Sequence, residues 1–358
     1  MGFKEYERNM SFLDLELSKT LGSSRTQKFL KEIHDYIRWE PFQRILLDVY
    51  PVGKASVGNS AYPPVMLLKA LLLQKWFGIR SDPELENQIN DRISFKVFIG
   101  LPFGDPSPDH SVISRFRDRV GAKAMERIHT ELLSQLRAKG FSIDAGLAVD
   151  ARLVRSASSP LSKDKIKEKR QERQRKEQGG KKGPVKFSRD LESDWTVKND
   201  VPVYGMKEHA SIDVGSGLVL STVLSRASEH DTNYFQFVVI KSMHTRKMLP
   251  VVYADKGYHG QPNREFLHIN DMKDGIMRKD ERNARITDLE IERNKKISKV
   301  RYKIEQYFGV TALHQAASRA RFTTLAKEGW DRICQVMAFN LKRSYRSGLR
   351  EPAPAMAI

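Results

Sequence analysis

VVYADKGYHG, residues 251–260, is the segment that decides the fold. Its first four residues are apolar and β-prone, which predicts a buried strand that ends at Asp255, and the turn GYHG follows at once. A carboxylate at the end of a buried strand is held rigidly and still reaches solvent, as a catalytic acid requires. Capping of the next helix is the alternative role for Asp255. Two further acids in comparable settings, Asp150 and Glu305, favour the catalytic interpretation.

The composition predicts a polyanionic partner. The chain has 358 residues, with 62 Lys and Arg against 44 Asp and Glu, a formal net charge of +18. Because basic side chains that neutralise phosphates release counterions, nucleic acid is the expected partner, and an anionic membrane surface is the weaker alternative. The best apolar run, residues 65–73, is far shorter than the roughly 20 residues of a membrane span. Residues 1–9 lack the apolar core of a signal peptide, so we expect a cytoplasmic protein without membrane association.

Residues 1–140 are predicted to form an all-α domain. Pro63-Pro64 opens the apolar helix VMLLKALLLQKWFG, and Ser81 begins an amphipathic helix. The polar turn GDPSPDHS then leads into VISRFRDRV, and a further helix ends at Gly140. Two helices joined by a short polar turn, the second of them basic, resemble a helix-turn-helix. The DNA-binding residues predicted on that second helix are Arg115, Arg117 and Arg119.

Residues 141–345 are predicted to form an α/β domain with a mixed sheet, and residues 346–358 a flexible tail. Alternating apolar residues predict three strands, and a helix, a strand, a helix, a strand and a final helix follow in that order. The turn Gly215-Ser216-Gly217 predicts a hairpin between the second and third strands. The sheet would therefore have five strands.

A basic insertion at residues 156–200 interrupts this domain. Residues 163–189 contain twelve Lys or Arg against four Asp or Glu, and only scattered apolar residues. Such a segment buries too little surface to offset its ordering entropy, which predicts a mobile loop. The loop leaves the sheet beside Asp150, which favours nonspecific phosphate contact over a solvated arm without a role.

Three carboxylates, Asp150, Asp255 and Glu305, suit divalent metal chemistry. Without Cys or His beside them they predict Mg²⁺ or Mn²⁺ instead of zinc. Two such ions about 4 Å apart would stabilise the entering and leaving oxygens of an in-line phosphoryl transfer. Arg301 shares a helix face with Glu305, where it forms an ordinary ion pair, orients the carboxylate or meets a phosphate. Lys207 alternates with a histidine on the second strand and is predicted to face the active side.

Other chemistries find little support in the sequence. Cys334 is the single cysteine, which excludes an internal disulfide and a cysteine-based zinc cluster. No P-loop, dinucleotide fingerprint or Gly-x-Ser-x-Gly elbow occurs. Glu229-His230-Asp231 has metal-ligand residue types, but capping of the following helix explains Asp231. An ATPase, a Rossmann dehydrogenase and a serine hydrolase are therefore not expected.

Seven motifs occur in one order over about residues 30–340: PDHSVISRFR, VDARLV, VYGMKEHASIDVGSGLV, SEHDTN, ADKGYHG, RYKIEQYFG and RARF. This ordered set resembles the DDE transposases of bacterial insertion sequences, specifically the IS-five group. The resemblance implies an RNase-H-like catalytic fold, divalent metal, and endonuclease and joining activity on terminal inverted repeats. It places Asp150, Asp255 and Glu305 on the acidic triad of the family, and Arg301 on its helix arginine.

Two positions depart from the family pattern. Ala312 lies seven residues after Glu305, where the family usually has a Lys or Arg that contacts DNA. Arg152 stands where a Thr usually follows the first Asp-Ala. His314 and Arg319 are candidates to replace the missing cation, and Arg321 keeps its expected register.

The expected partners are double-stranded DNA, as terminal repeats and as target, and a second copy of the chain that pairs two ends. Arg319 and Arg321 complete the predicted DNA-binding set. Two alternatives remain beside a transposase. One is a catalytically weakened, transposase-derived DNA-binding protein, which Ala312 favours, and the other is a structure-selective nuclease on the same fold.

Overall fold

The computed structural model describes residues 2–4, 24–52, 60–141, 143–178, 190–243, 250–281 and 284–348. The chain divides into two compact units. The first, here called the helical unit, comprises residues 1–141 and 333–358, and the second, the sheet unit, comprises residues 142–332. The predicted boundary after residue 140 falls at this division, whereas residues 333–345 lie in the helical unit and not with the sheet.

The helical unit is built around α3 (Pro64–Trp76). Twelve of its thirteen residues are buried, because the helix is apolar on all sides and has to be surrounded by others. Lys69 is buried with them, and desolvation lowers its pKa to about 8. The Trp76 indole donates a 2.8 Å hydrogen bond to the carbonyl of Ala338. The other helices that lie wholly in this unit are α1 (Arg25–Tyr36), α2 (Glu40–Val49), α4 (Asp82–Asp91), α5 (Ile93–Ile99) and α6 (His110–Ala138).

The predicted helices around the polar turn are present. Ser81 caps α4 as expected, and its hydroxyl accepts a hydrogen bond from the Glu84 N–H at 3.2 Å. Helix α6 follows the turn and is longer than predicted, because the two helices expected there are joined across a kink. The kink lies at Gly121, whose φ of 67° is open to glycine at little cost.

The sheet unit contains one mixed sheet of six strands in the order β2-β3-β1-β5-β6, with β4 also paired to β3. Strand β1 is antiparallel to β3, which is antiparallel to β2 and β4, while β1, β5 and β6 are parallel. The antiparallel strands β1, β3 and β4, continued by the parallel strands β5 and β6, form an RNase-H-like sheet, as expected, and β2 is an additional strand on β3. The strands are β1 (Leu147–Arg155), β2 (Asp194–Lys198), β3 (Val201–Asp213), β4 (Val219–Arg226), β5 (Val251–Ala254) and β6 (Lys273–Ile276).

Helices pack against this sheet and complete the unit. Helix α8 (Thr232–Met243) contacts β3 and β4, and α9 (Gln261–Ile269) contacts β6. Helix α10 (Asp288–His314) contacts β1 and β5, which places the helix with Arg301 and Glu305 beside the strand with Asp150. A capping box of Thr287 and Glu290 fixes the start of α10.

The prediction of five strands and a mobile basic loop was wrong in part. Within residues 156–200 the chain forms helix α7 (Lys163–Gln178) and the sixth strand, β2. Helix α7 forms because Ile166 is buried and the Arg170 guanidinium donates to the carbonyls of Leu191 and Ser193, at 2.9 and 2.8 Å. Residues 179–189 of the predicted loop lie outside the described residues.

The last helix, α11 (Leu325–Gly348), extends past the start of the predicted tail. Residues 346–348 are helical, and residues 349–358 lie outside the described residues. Within the described ranges, none of the helices combines the length and the apolar character that a membrane crossing requires.

Candidate active site

Asp150 and Asp255 occupy neighbouring positions of the sheet. The parallel pairs Leu147–Val252 and Ala148–Tyr253 join β1 to β5, and two further steps in this register place Asp150 beside Asp255. Asp255 directly follows β5, and its Oδ1 accepts a 2.7 Å hydrogen bond from the Gly257 N–H. Asp255 at the carboxyl end of β5 and Asp150 within β1 are thus brought to one place in the sheet by the parallel pairing.

The Asp150 carboxylate lies in a confined and negative environment. Its side chain is 18% exposed, and its Oδ2 accepts a hydrogen bond from the Arg301 guanidinium at 2.9 Å. The pKa of Asp150 is raised to about 6, chiefly by burial and in part by the charge of Asp255, while Arg301 and the hydrogen bond from the Ala151 N–H act in the opposite direction. The effect of burial on the ionised carboxylate is larger than the opposing effect of Arg301. An additional cation would therefore stabilise the ionised form of Asp150.

Arg301 and Glu305 take different directions from α10. Arg301 is buried and turns toward the sheet, where it pairs with Asp150, while Glu305 one turn later is exposed. Among the described residues, Asp150, Asp255 and Glu305 do not have ligand atoms all within 4.8 Å of one another. The structure brings Asp150, Asp255 and Arg301 together and leaves Glu305 exposed on the adjacent helix.

Tyr258 and Asp231 were not predicted as members of this site. Tyr258 is 1% exposed, and its hydroxyl has no hydrogen-bond partner among the described residues. Burial raises its pKa well above the ordinary value, and the charges of Asp150, Asp231 and Asp255 raise it further. The buried hydroxyl is therefore close enough to these three acids to experience their charges. The sequence signal that could have identified Tyr258 was an aromatic residue in the turn GYHG, directly after the strand that ends at Asp255.

The remaining basic residues predicted in the sheet unit contact the protein itself. Lys207 Nζ pairs with Asp231 at 2.8 Å and donates to the Glu229 carbonyl at 2.7 Å. Arg319 is exposed but donates to the carbonyls of Ser156 and Ala157, and Arg321 pairs with Asp331 at 3.5 Å. Of these three, Arg319 has the guanidinium best placed to reach a phosphate as well.

Helix α6 presents only two of its three predicted arginines to solvent. Arg115 and Arg119 are four residues apart and exposed on one face. Arg117 lies two residues from each, on the opposite face, and is 2% exposed. Both of its terminal nitrogens donate to Asp82 at 3.0 Å. Arg117 therefore holds α6 to α4, and its terminal nitrogens are not turned toward a ligand.

Substitutions of Arg117 and Arg119 are expected to have different effects, the first on protein stability and the second on DNA binding. Arg117→Met is expected to destabilise the helical unit by about 3 kcal/mol, because Asp82 loses both hydrogen bonds from the guanidinium and the positive charge beside it. The matched Arg119→Met should change stability by less than about 0.5 kcal/mol and reduce the salt dependence of DNA binding by about one charge. Chemical unfolding and DNA titrations at several salt concentrations measure both; equal stability losses would contradict the assignment.

One three-residue cluster elsewhere has suitable metal-ligand atoms. In the described part of the chain, Glu86, Asp109 and His110 have ligand atoms within 4.8 Å of one another. Asp109 caps α6 through the Ser111 N–H, and Glu86 accepts from both the backbone and the ring of His110 at 2.8 Å. The hydrogen bond from Glu86 raises the pKa of His110. These contacts explain the cluster as the start of a helix.

A buried histidine lies on β3, two residues from Lys207. The ring of His209 stacks on Tyr234 with centroids 4.5 Å apart, and its Nε2 lies 2.8 Å from the Ser225 hydroxyl. The side chain is 1% exposed, and burial lowers its pKa to about 4. His209 is therefore neutral near pH 7, and the folded protein buries this side chain in its uncharged form.

His209 is expected to make the sheet unit sensitive to acid. Its folded pKa lies below the unfolded value of about 6.5, so the stability is intact above that pH and is lost as pH falls toward 4. The loss should be about 3 kcal/mol. His209→Gln should flatten the dependence, whereas His230→Gln, at an exposed position, should not. Urea unfolding between pH 7 and 4 measures this; equal slopes in both variants would contradict it.

Two family models match the sequence. One, described as a transposase domain (DUF772), matches residues 19–119, and the other, described as a transposase DDE domain, matches residues 141–330. The second covers more than half of the chain and includes Asp150, Asp255 and Glu305.

Two solved structures are similar at low identity. The piggyBac transposase in a synaptic complex with hairpin DNA is 11% identical with a TM-score of 0.43, over 95% of this chain and 77% of that one. The pre-cleavage Mos1 transpososome is 9% identical with a TM-score of 0.21, over 90% of this chain and 98% of that one. The assignment rests on the domain match: the chain belongs to the DDE transposase family.

Proposed function

We propose that this DNA transposase cuts and joins the terminal inverted repeats of an insertion sequence, with Asp150, Asp255 and Glu305 as its metal-binding carboxylates. The observation that carries the proposal is the placement of Asp150, within β1, beside Asp255, at the end of the parallel neighbour β5, with Arg301 on Asp150. Membership of the IS-five group within the family stays a prediction.

The residues present fit a hard divalent cation. Asp150 and Asp255 offer carboxylate oxygens without thiol or imidazole ligands, which suits Mg²⁺ or Mn²⁺. The pKa of Asp150 is raised chiefly by burial and in part by the charge of Asp255, so a cation bound beside the two carboxylates would stabilise the ionised form of Asp150. Glu305 completes the set when its exposed side chain turns toward the sheet. Two bound ions would stabilise the entering and leaving oxygens of the phosphoryl transfer.

Arg301 has a positioning role in this proposal. Its guanidinium holds Asp150 Oδ2, while the Ala151 N–H donates to Oδ1 at 2.8 Å. The two contacts fix the plane of the Asp150 carboxylate. A carboxylate that binds a metal ion has to keep this orientation when the phosphate of the substrate binds.

Double-stranded DNA is the proposed partner of both units. The net charge of +18 supplies the general attraction, and the exposed Arg115 and Arg119 of α6 face away from Arg117. Helix α7 carries eight Lys or Arg against four Asp or Glu and adds a second basic surface. Because two ends have to be held together, we expect a homodimer on paired ends, acting in the cytoplasm where the DNA lies.

Position 312 offers a separate test of DNA contact. Ala312 is half-buried on α10, where the family usually has a basic residue. Ala312→Lys is expected to steepen the salt dependence of DNA binding by about 0.9, the value for one phosphate contact. Leu313→Lys, on a different face of the helix and 77% exposed, is the control. Equal changes in both variants would show that any added charge has the same effect.

The proposal is tested with purified protein and the DNA that flanks its own gene, in Mg²⁺ and in EDTA. Metal-dependent nicking at the repeat end, followed by joining to target DNA, is the expected result. A branched DNA without repeat ends is the control, since cutting there without joining would identify a nuclease. Tight binding to the repeat without nicking in Mg²⁺ or Mn²⁺ would overturn the catalytic proposal.

A further inference from the structure

Arg152, the residue that departs from the family pattern on β1, is a buried part of the sheet unit. It lies two residues after Asp150 and therefore on the same face of the strand. Its side chain is 10% exposed. The Nε and Nη2 atoms donate to Oε2 of Glu208, at 2.9 and 2.7 Å, across the β1–β3 pair.

Glu208 is a fully buried carboxylate with several donors. It is 0% exposed and accepts from the Tyr307 hydroxyl at 2.7 Å and from Arg332 at 3.4 Å. Burial alone would raise the pKa of Glu208, but Arg152 and Arg332 together hold it below its usual value. Glu208 is thus an ionised anchor, and it fixes the guanidinium of Arg152 in one orientation.

The third nitrogen of Arg152 reaches α10. Nη1 donates to the carbonyl of Phe308 at 3.0 Å and to the hydroxyl of Thr311 at 2.8 Å. Tyr307, the residue before Phe308, reaches the same anchor from the helix side. One turn of α10 is therefore held to β1 and β3 through a single buried arginine–glutamate pair.

Glu305 lies between two such attachments. On its N-terminal side Arg301, from the helix, binds Asp150 of the strand, and on its C-terminal side Arg152, from the strand, binds Phe308 of the helix. The two points lie about 10 Å apart along α10 and about 7 Å apart along β1. Two separated attachments fix both the height and the rotation of the helix, which one contact cannot do.

We propose that Arg152 is a positioning residue that holds the α10 turn of Glu305 in register with Asp150, with Glu208 as its buried counter-charge. The inference rests on the proposed role of Glu305 in metal binding. A buried ion pair is weak evidence for stability by itself, since apolar residues of similar volume serve as well. The hydrogen bonds of Arg152 to the Phe308 carbonyl and the Thr311 hydroxyl are directional, so they fix the orientation of α10, which apolar packing alone does not do.

The test compares Arg152→Lys with Val239→Ala, a control on α8 whose side chain is fully buried. The control loses stability through a cavity, so it reports what destabilisation alone does. Three quantities are measured well below both melting temperatures: single-turnover cleavage at saturating repeat-end DNA, the Kd for that DNA, and amide hydrogen exchange of residues 305–314. Tyr307→Phe, a milder change at the same anchor, is the reserve if Arg152→Lys does not fold.

In Arg152→Lys, cleavage should fall by about tenfold to a hundredfold, as for residues that orient a metal ligand. The Kd should stay within about twofold, and exchange in residues 305–314 should accelerate, whereas Val239→Ala should change none of the three. Equal cleavage in both variants, or unchanged exchange in Arg152→Lys, overturns the inference. If the unaltered protein shows no metal-dependent cleavage, the proposed function fails, and the exchange measurement alone decides whether Arg152 fixes α10.

Discussion

Asp255→Asn is expected to lower the rate of DNA strand cleavage by about 10³-fold or more, because a metal site contributes several kcal/mol to the transition state. The substitution removes one negative charge and keeps the shape of the side chain. Its amide oxygen still accepts from the Gly257 N–H, so the turn after β5 is preserved. Cleavage of repeat-end DNA in Mg²⁺ measures the effect, and DNA affinity should stay within about twofold.

The matched control for this change is Asp271→Asn. Asp271 is exposed after α9 and has a φ of 55°, a backbone conformation that asparagine tolerates. The control should cleave like the unaltered protein. A loss of DNA binding in Asp255→Asn as large as the loss of cleavage would contradict a catalytic role for this carboxylate.

Glu208→Gln is expected to destabilise the sheet unit by about 3–5 kcal/mol, the largest stability effect that we predict. The change leaves the buried guanidinium of Arg152 without a counter-charge, while Arg332 keeps Glu328 at 2.6 Å. Denaturant unfolding at pH 7 measures the loss as a shift in the free energy of unfolding.

Glu292→Gln is the control for this second prediction. Glu292 pairs with Lys296 on the surface of α10, with side chains 62% and 76% exposed, and such pairs contribute less than about 1 kcal/mol. If Glu208→Gln costs no more than Glu292→Gln, the Arg152–Glu208 pair is replaceable and does not hold the helix.

The neighbouring positions of Asp150 and Asp255 could be predicted in outline from the sequence. Alternating apolar residues identify β1 and β5, and an acid within β1 or directly after β5 is an unusual residue in such a setting. Parallel pairing of the two strands then brings these two positions together. The inward turn of Arg301 could not be predicted, because the i,i+4 spacing to Glu305 favours a surface ion pair equally well.

Long-range contacts account for what the sequence analysis missed. Strand β2 is five residues long and exists through its pairing with β3, and the charge of α7 hides the single buried Ile166. Glu208 binds Arg152 and Arg332, which are 56 and 124 residues away, so no local pattern marks it as buried. Arg117 is different, since its two-residue offset from Arg115 already indicated the opposite face of the helix.

The most direct test of the account is Mn²⁺ binding followed by electron paramagnetic resonance in the unaltered protein, Asp150→Asn, Glu305→Gln and His110→Ala. The last variant removes one of the three potential ligand side chains of the Glu86, Asp109 and His110 cluster. We predict that Asp150→Asn and Glu305→Gln each lose the bound Mn²⁺ signal and that His110→Ala retains it. Binding that survives both carboxylate substitutions and disappears in His110→Ala would contradict the assignment of the metal site to Asp150, Asp255 and Glu305.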